Sequence, residues 1–200
     1  MTAVVIPGPV GALEGALGGA ASPQRIAVIC HPHPLHGGTM GNKVVTMLER
    51  ALSEAHCATL RFNFRGVGAS DGSFDEGRGE QQDLAAAVAF LRERHPGLPL
   101  WLAGFSFGAF VSAAQSDALG AQCLISVAPP VARFGLNFPT RPSARWIVAQ
   151  GDADEVVAAS DVFAFFANFD PPVELLTFPG AGHFFHGRLV ELRDRLLATL

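Results

Sequence analysis

A serine at the centre of a glycine-flanked pentapeptide is the residue of this chain best suited to covalent chemistry. Residues 104–108 read Gly-Phe-Ser-Phe-Gly, with Ser106 in the middle. The apolar residues 100–103 before it predict a buried strand, and the small apolar residues 109–114 after it predict the start of a helix. A Gly-x-Ser-x-Gly turn between strand and helix strains the serine backbone and holds the hydroxyl at the positive end of the helix. Ser106 is therefore a candidate nucleophile.

Candidate partners for this serine follow two later predicted strands. A serine nucleophile needs an imidazole to accept its proton and a carboxylate to orient that imidazole. Asp152 and Asp154 come directly after the predicted strand 146–149, and the predicted strand 173–178 runs into His183. All three lie just past the carboxyl ends of strands, where open α/β sheets place their sites. Their order, serine then aspartate then histidine, predicts a serine hydrolase with a Ser-His-Asp triad.

Two histidines near the carboxyl terminus are candidates for the base. His183 follows Gly180 and Gly182 in a loop, so its ring can approach the serine. His186 lies closer to the start of the last predicted helix, whose positive end opposes a protonated imidazole. We therefore favour His183 as the base.

The rest of the chain alternates predicted strands with predicted helices. Short apolar runs predict strands at 26–30, 59–64, 100–103, 123–127, 146–149 and 173–178. Apolar residues at helical spacing predict helices at 44–55, 84–91, 109–114 and 189–197. One or two short strands are expected before residue 19. Short connections between the alternating elements indicate parallel βαβ units. We expect an α/β fold in a single domain spanning residues 1–200.

Composition limits the classes of partner. Hydrophobic residues make up 49% of the 200 residues and charged residues 16%, which suits a sheet covered on both faces. The formal net charge of -4 gives no reason to expect a nucleic acid or an anionic membrane as a partner. A small-molecule substrate remains the expected partner.

The cysteines and the amino terminus bear on the cellular compartment. Cys30, Cys57 and Cys123 are odd in number and scattered, so we interpret them as buried free thiols of a reducing compartment. The apolar first twenty residues contain no lysine or arginine, and prolines and a glutamate interrupt them. No cleaved leader is therefore expected, and we predict a soluble cytoplasmic protein.

Several motifs together resemble the α/β-hydrolase superfamily over essentially the whole chain. The first long loop reads His-Pro-His-Pro at 31–34 with Gly-Gly at 37–38, and residues 65–70 read Arg-Gly-Val-Gly-Ala-Ser. With the pentapeptide around Ser106 and the His-Phe-Phe of 183–185, these resemble the small, lidless hydrolases of bacterial type. The resemblance implies an α/β-hydrolase fold with a mostly parallel central sheet and helices on both faces. It implies no lid domain, because the loop between the predicted strands at 127 and 145 is too short to hold one.

The resemblance also separates the two candidate acids. The superfamily's Gly-x-x-Asp-x-x-Val pattern falls on Gly151, Asp154 and Val157. It therefore implies that Asp154 is the acid, and it leaves Asp152 to cap the turn or the next helix through its side-chain oxygen.

An oxyanion hole is implied by the same likeness. One donor would be the backbone N–H of Phe107, and a second N–H would come from the loop after residue 30. Because Pro32 and Pro34 carry no N–H, His33 and Leu35 are the available donors. Alignment of residues 31–32 with the superfamily's His-Gly favours His33, and Leu35 stays open as the alternative.

Two rival interpretations use other chemistry. His31, His33 and His36 have the histidine spacing of zinc hydrolases of the metallo-β-lactamase type, although Leu35 stands where such sites place an aspartate. The His31 side chain alone is more typical of a structural hydrogen bond beneath the loop. A binding protein that uses the fold without turnover is the other alternative.

We therefore expect a carboxylesterase-like hydrolase that works through an acyl-enzyme, with no cofactor and no metal. Thioesterase, amidase and peptidase activities would use the same residues, and the sequence does not separate them. Four phenylalanines near the triad either line an acyl pocket or pack in the core, namely Phe105, Phe107, Phe184 and Phe185. Substrate-binding residues and oligomeric state stay open.

Overall fold

The computed structural model describes residues 1–132, 138, 142–167 and 169–200. Within them the chain forms eight strands, five α-helices and one short 3-10 helix at Pro34–His36. The strands are β1 (Thr2–Gly8), β2 (Gly11–Gly19), β3 (Arg25–Cys30), β4 (Cys57–Phe62), β5 (Leu100–Phe105), β6 (Cys123–Val127), β7 (Arg145–Gly151) and β8 (Glu174–Phe178). The helices are α1 (Lys43–Glu54), α2 (Arg78–Arg94), α3 (Phe107–Gln115), α4 (Ala159–Phe166) and α5 (Leu189–Thr199). None of the helices in this described part is long and apolar enough to cross a lipid bilayer.

The strands form one mixed sheet in the order β1-β2-β4-β3-β5-β6-β7-β8. The pairs β1–β2 and β2–β4 are antiparallel, and every pair from β4 to β8 is parallel. The chain passes from β3 to β4 on one side and then returns to place β5 on the other side of β3. The loops after β3 and β5 therefore diverge at a switch point, where α/β sheets form their clefts.

Successive side chains along the parallel strands point to opposite faces of the sheet, and helices cover both faces. In β3, Ile26, Val28 and Cys30 pack on the face covered by α2, α3 and α4. Ala27 and Ile29 point to the opposite face, which α1 and α5 cover. This arrangement confirms the predicted mostly parallel sheet with helices on both faces.

Most element boundaries differ from the sequence prediction by a few residues, and one helix was not predicted. Strand β4 ends at Phe62 and not at residue 64, because the N–H of Phe64 donates to the ring of His31 at 3.0 Å and not to a neighbouring strand. Strand β8 begins at Glu174. Helix α4 was not predicted, and its eight residues include three phenylalanines; Val162 and Phe166 bury it against the sheet.

The segment between β6 and β7 spans residues 128–144, the predicted long loop. Residues 133–137 and 139–141 of it lie outside the described residues.

All three cysteines are free and buried, as predicted. Burial raises the pKa of the Cys30 and Cys57 thiols to about 12 and that of Cys123 to about 11. Thiols with such pKa values are poor nucleophiles, so they do not compete with the candidate serine.

Candidate active site

Ser106 occupies a strained turn between β5 and α3. Its φ of 52° and ψ of -120° lie in a region that side chains rarely adopt. Its N–H donates to the carbonyl of Val127 on the neighbouring strand β6 at 2.9 Å, which holds the turn to the sheet. Strain of this kind is kept where the surrounding structure imposes it, commonly at functional sites.

The flanking glycines are required by close packing of this turn. A Cβ on Gly104 would lie 2.2 Å from the carbonyl oxygen of Gly108, and a Cβ on Gly108 would lie 2.3 Å from that of Cys30. Larger residues at either position would push α3 away from β5 or from the end of β3. The start of α3 is thereby pressed against the loop that follows β3.

Asp154 and His183 form a buried pair at the ends of β7 and β8. The Nδ1–H of His183 donates to Asp154 Oδ2 at 2.9 Å, and the two side chains are 3% and 0% exposed. The other carboxylate oxygen accepts the N–H groups of Val156 and Val157 at 2.9 and 2.7 Å. Because Nδ1 of the neutral ring carries the proton, Nε2 keeps the lone pair that a general base needs.

The environment of Asp154 favours its ionised form. Burial raises the pKa of this carboxyl, but the hydrogen bonds from His183 and from the backbone of Val157 and Val156 outweigh burial. The net pKa therefore lies below the usual value. Gln150 adds a further hydrogen bond from Nε2 to Oδ2 at 3.1 Å. A carboxylate held by four donors can orient an imidazole and stabilise its protonated form.

His183 lies beside the serine turn. Its ring centroid is 4.9 Å from that of Phe105, the residue directly before Ser106. The order of the sheet explains this proximity, since β5, β6, β7 and β8 are consecutive neighbours and all present their carboxyl ends at the same edge.

The alternative acid and base lie outside this pair. Asp152 is exposed, and its Oδ1 accepts the N–H of Gly180 at 2.6 Å, so it caps a turn in the loop that carries His183. His186 is exposed and stacks on Phe184, with ring centroids 5.8 Å apart. Neither has the buried, multiply bonded surroundings of Asp154 and His183.

The loop after β3 lies against the start of α3. The rings of His33 and Phe107 are 5.0 Å apart. The N–H of Leu35 donates to His33 Nδ1 at 3.2 Å, so this donor is turned toward its own loop. Burial, with a smaller contribution from His36, lowers the pKa of His33, which keeps the ring neutral and able to accept that bond. The N–H of Leu35, the alternative donor left open by the sequence, is thus engaged within the loop.

Both ring nitrogens of His31 are engaged by the main chain. Nδ1–H donates to the carbonyl of Pro32 at 2.7 Å, and Nε2 accepts the N–H of Phe64 at 3.0 Å. Burial lowers the pKa of His31 to about 4, against a smaller opposing effect of the Pro32 bond. A zinc ion could take a nitrogen from His31 only by breaking one of these bonds. Among the described residues, no three His, Cys, Asp or Glu side chains are grouped so as to hold a metal.

Only one of the four phenylalanines near the triad reaches the surface. Phe105, Phe107 and Phe185 are 0%, 1% and 0% exposed and belong to the core. Phe184 is 39% exposed, and its ring meets that of His183 edge-on at 5.1 Å. Phe184 is therefore the one of the four with an exposed side chain.

Two polar residues of the site were missed by sequence reasoning. Gln150 donates to Asp154, and Glu155 Oε2 accepts the backbone N–H of His183 at 3.0 Å. Glu155 directly follows Asp154 and Gln150 precedes it by four positions, and this nearness in the chain is the only signal that could have suggested them.

Comparisons with known proteins agree with this fold. Residues 22–146 match the hydrolase family described as serine aminopeptidase, S33. The chain is 45% identical to XC6422 of Xanthomonas campestris, an α/β serine hydrolase without lid, with a TM-score of 0.94 over 98% of this chain and 92% of that one. It is 47% identical to an α/β serine hydrolase homologue of Coxiella burnetii, with a TM-score of 0.95 over 100% and 97% of the two chains. An uncharacterized protein of Rickettsia prowazekii, RP471, is 38% identical over 81% of this chain and 71% of its own length.

Proposed function

The chain belongs to the serine aminopeptidase S33 family of α/β serine hydrolases, and on that premise we propose that it hydrolyses ester bonds of small acyl substrates. Ser106 is the nucleophile, His183 the general base and Asp154 the acid that orients it. No cofactor or metal takes part.

The reaction proceeds through an acyl-enzyme. His183 Nε2 takes the proton of the Ser106 hydroxyl as its oxygen attacks the ester carbonyl, and the backbone N–H groups of Phe107 and His33 bind the oxyanion. The protonated ring then gives its proton to the leaving alcohol. Water, deprotonated by the same ring, attacks the acyl-enzyme, and the carboxylic acid leaves with Ser106 restored.

One observation carries this proposal. The buried pair of His183 and Asp154 lies against Phe105, directly beside a serine in a strained strand-to-helix turn. Backbone strain and a buried charge both destabilise a fold, so they are typically retained where a function requires them. Their coincidence at the carboxyl edge of the sheet supports acyl transfer over a binding role.

The preference for ester substrates is argued from the exposed phenylalanine beside the proposed base. The exposed ring of Phe184, which packs against the rings of Phe105 and His183, suits an apolar group next to the scissile bond. Thioesters, amides and peptides can be attacked by the same three residues. The description of the family includes aminopeptidases, so an aminoacyl amide is the natural competing substrate.

A substrate panel tests the proposal. Acyl esters and thioesters of graded chain length, together with an aminoacyl amide, are offered to the wild type and to Ser106→Ala. We expect short esters to give the highest kcat/KM, and Ser106→Ala to lose on the order of a million-fold in kcat. Amide cleavage faster than ester cleavage would contradict the substrate class. Activity that survives Ser106→Ala and disappears with a chelator would favour the zinc alternative.

A further inference from the structure

Two neighbouring carboxylates hold His183, one at its ring and one at its main chain. Asp154 Oδ2 accepts the ring Nδ1–H at 2.9 Å, and Glu155 Oε2 accepts the backbone N–H at 3.0 Å. These bonds reach opposite ends of the residue. Together they restrain both the position of its main chain and the direction of its ring.

The two loops that carry these residues meet closely. The N–H of Ala153 donates to the carbonyl of Ala181 at 3.2 Å. A Cβ on Gly182 would lie 2.7 Å from Glu155 Oε2. The Glu155 carboxylate thus reaches the N–H of His183 because the residue before the histidine has no side chain.

The location of His183 explains why its main chain needs such a partner. The residue lies between β8 and α5, outside any strand or helix, so no ladder of backbone hydrogen bonds holds it. Glu155 is exposed, whereas the histidine that it binds is 3% exposed. A hydrogen bond at the protein surface adds little to the stability of the whole fold, but it can restrict a loop locally.

We propose that Glu155 is a positioning residue that sets the place of His183 through its backbone N–H. It touches no reacting atom, and the inference rests on the function proposed above. This role requires a hydrogen-bond acceptor oxygen on a side chain as long as that of glutamate. A displacement of the base by even 1 Å can cost about a hundred-fold in rate.

Two variants of Glu155 distinguish the effect of side-chain length from the effect of its charge. Glu155→Gln keeps an oxygen at the same reach and removes the charge, whereas Glu155→Asp keeps the charge and shortens the arm. Asp161→Asn is the matched control, because Asp161 is an exposed acid in the first turn of α4. The readouts are kcat and KM on the best ester of the panel, with Tm as a check on folding.

We expect Glu155→Asp to lower kcat roughly ten-fold or more while KM and Tm stay close to those of the wild type. Glu155→Gln should retain most of kcat, and Asp161→Asn should match the wild type. Wild-type kcat in Glu155→Asp would overturn the inference. So would a Glu155→Gln variant as slow as Glu155→Asp, or a loss of kcat that only follows a fall in Tm. Failure of the proposed function would show differently, as ester hydrolysis that survives Ser106→Ala.

Discussion

Asp154 and His183 are joined at 2.9 Å, Oδ2 to Nδ1, although 29 positions separate them in the chain. They meet because β7 and β8 are adjacent parallel strands, so the loops at their carboxyl ends emerge side by side. The parallel pairing of two strands thus creates the contact between the proposed acid and the proposed base.

The role of this contact predicts a large effect on turnover. Asp154→Asn keeps the size of the side chain but can turn its amide NH₂ toward Nδ1, which would favour the wrong tautomer of His183. We expect kcat to fall about ten-thousand-fold, with a smaller change in KM. Steady-state kinetics against Asp161→Asn measures the effect, and a variant within ten-fold of the wild type would argue against Asp154 as the acid.

Tight packing at Gly108 predicts sensitivity to a single methyl group. In Gly108→Ala the Cβ would approach the carbonyl oxygen of Cys30 to 2.3 Å, so α3 or the loop after β3 must move. We expect a loss of about 1–3 kcal/mol in the free energy of unfolding, together with a lower kcat. In the control Gly41→Ala the new Cβ meets only Thr39 Oγ1, at an ordinary 3.5 Å. Equal free energies of unfolding for the two variants would show that the turn can accommodate a Cβ at position 108, which would contradict the prediction.

Buried His31 predicts a pH dependence of stability. Its pKa is about 4 in the folded state against 6.5 for an unperturbed histidine, chiefly because burial disfavours its charged form. The unfolded chain therefore binds the proton first. Keeping His31 neutral in the folded state contributes on the order of 3 kcal/mol to the free energy of unfolding above pH 6.5. This contribution is lost as the pH falls from 6.5 toward 4.

Glutamine at position 31 can keep both hydrogen bonds without titrating. In denaturant unfolding at a series of pH values, His31→Gln should be the flatter of the two proteins within that interval. His186→Gln, at an exposed histidine, should follow the wild type. Parallel curves for His31→Gln and the wild type would contradict the neutral, buried state of His31.

The exposed ring of Phe184 predicts a selective loss among esters. If this ring receives the apolar part of the substrate, Phe184→Ala should lower kcat/KM by roughly ten-fold for long or aromatic esters and far less for an acetate ester. Val190→Ala removes another exposed apolar side chain, on α5, and serves as the control. A uniform loss across all esters would mean that Phe184 supports only the ring of His183.

Much of the fold could be predicted from local patterns. Apolar runs mark the central strands because each is buried on both faces, and the pentapeptide around Ser106 marks its turn because only glycine fits at its ends. Helix α4 was not predicted because it is short and rich in phenylalanine. Its packing against the sheet depends on residues far away in the chain, which a local sequence pattern does not reveal.

The surroundings of the candidate site were harder to predict than its central residues. Serine, aspartate and histidine each follow a strand that can be located in the sequence. The contact of Glu155 with the backbone of His183 depends instead on how two loops approach each other. The choice between His33 and Leu35 likewise depends on a hydrogen bond inside one loop, which spacing alone does not reveal.

Covalent labelling tests the central claim most directly. The wild type, Ser106→Ala and His183→Ala are treated with a fluorophosphonate, and the modified peptide is identified by mass spectrometry. We predict one adduct per chain in the wild type, on Ser106, with none on Ser106→Ala and greatly slowed labelling of His183→Ala. An adduct on another residue, or an unlabelled wild type that still cleaves esters, would contradict the account.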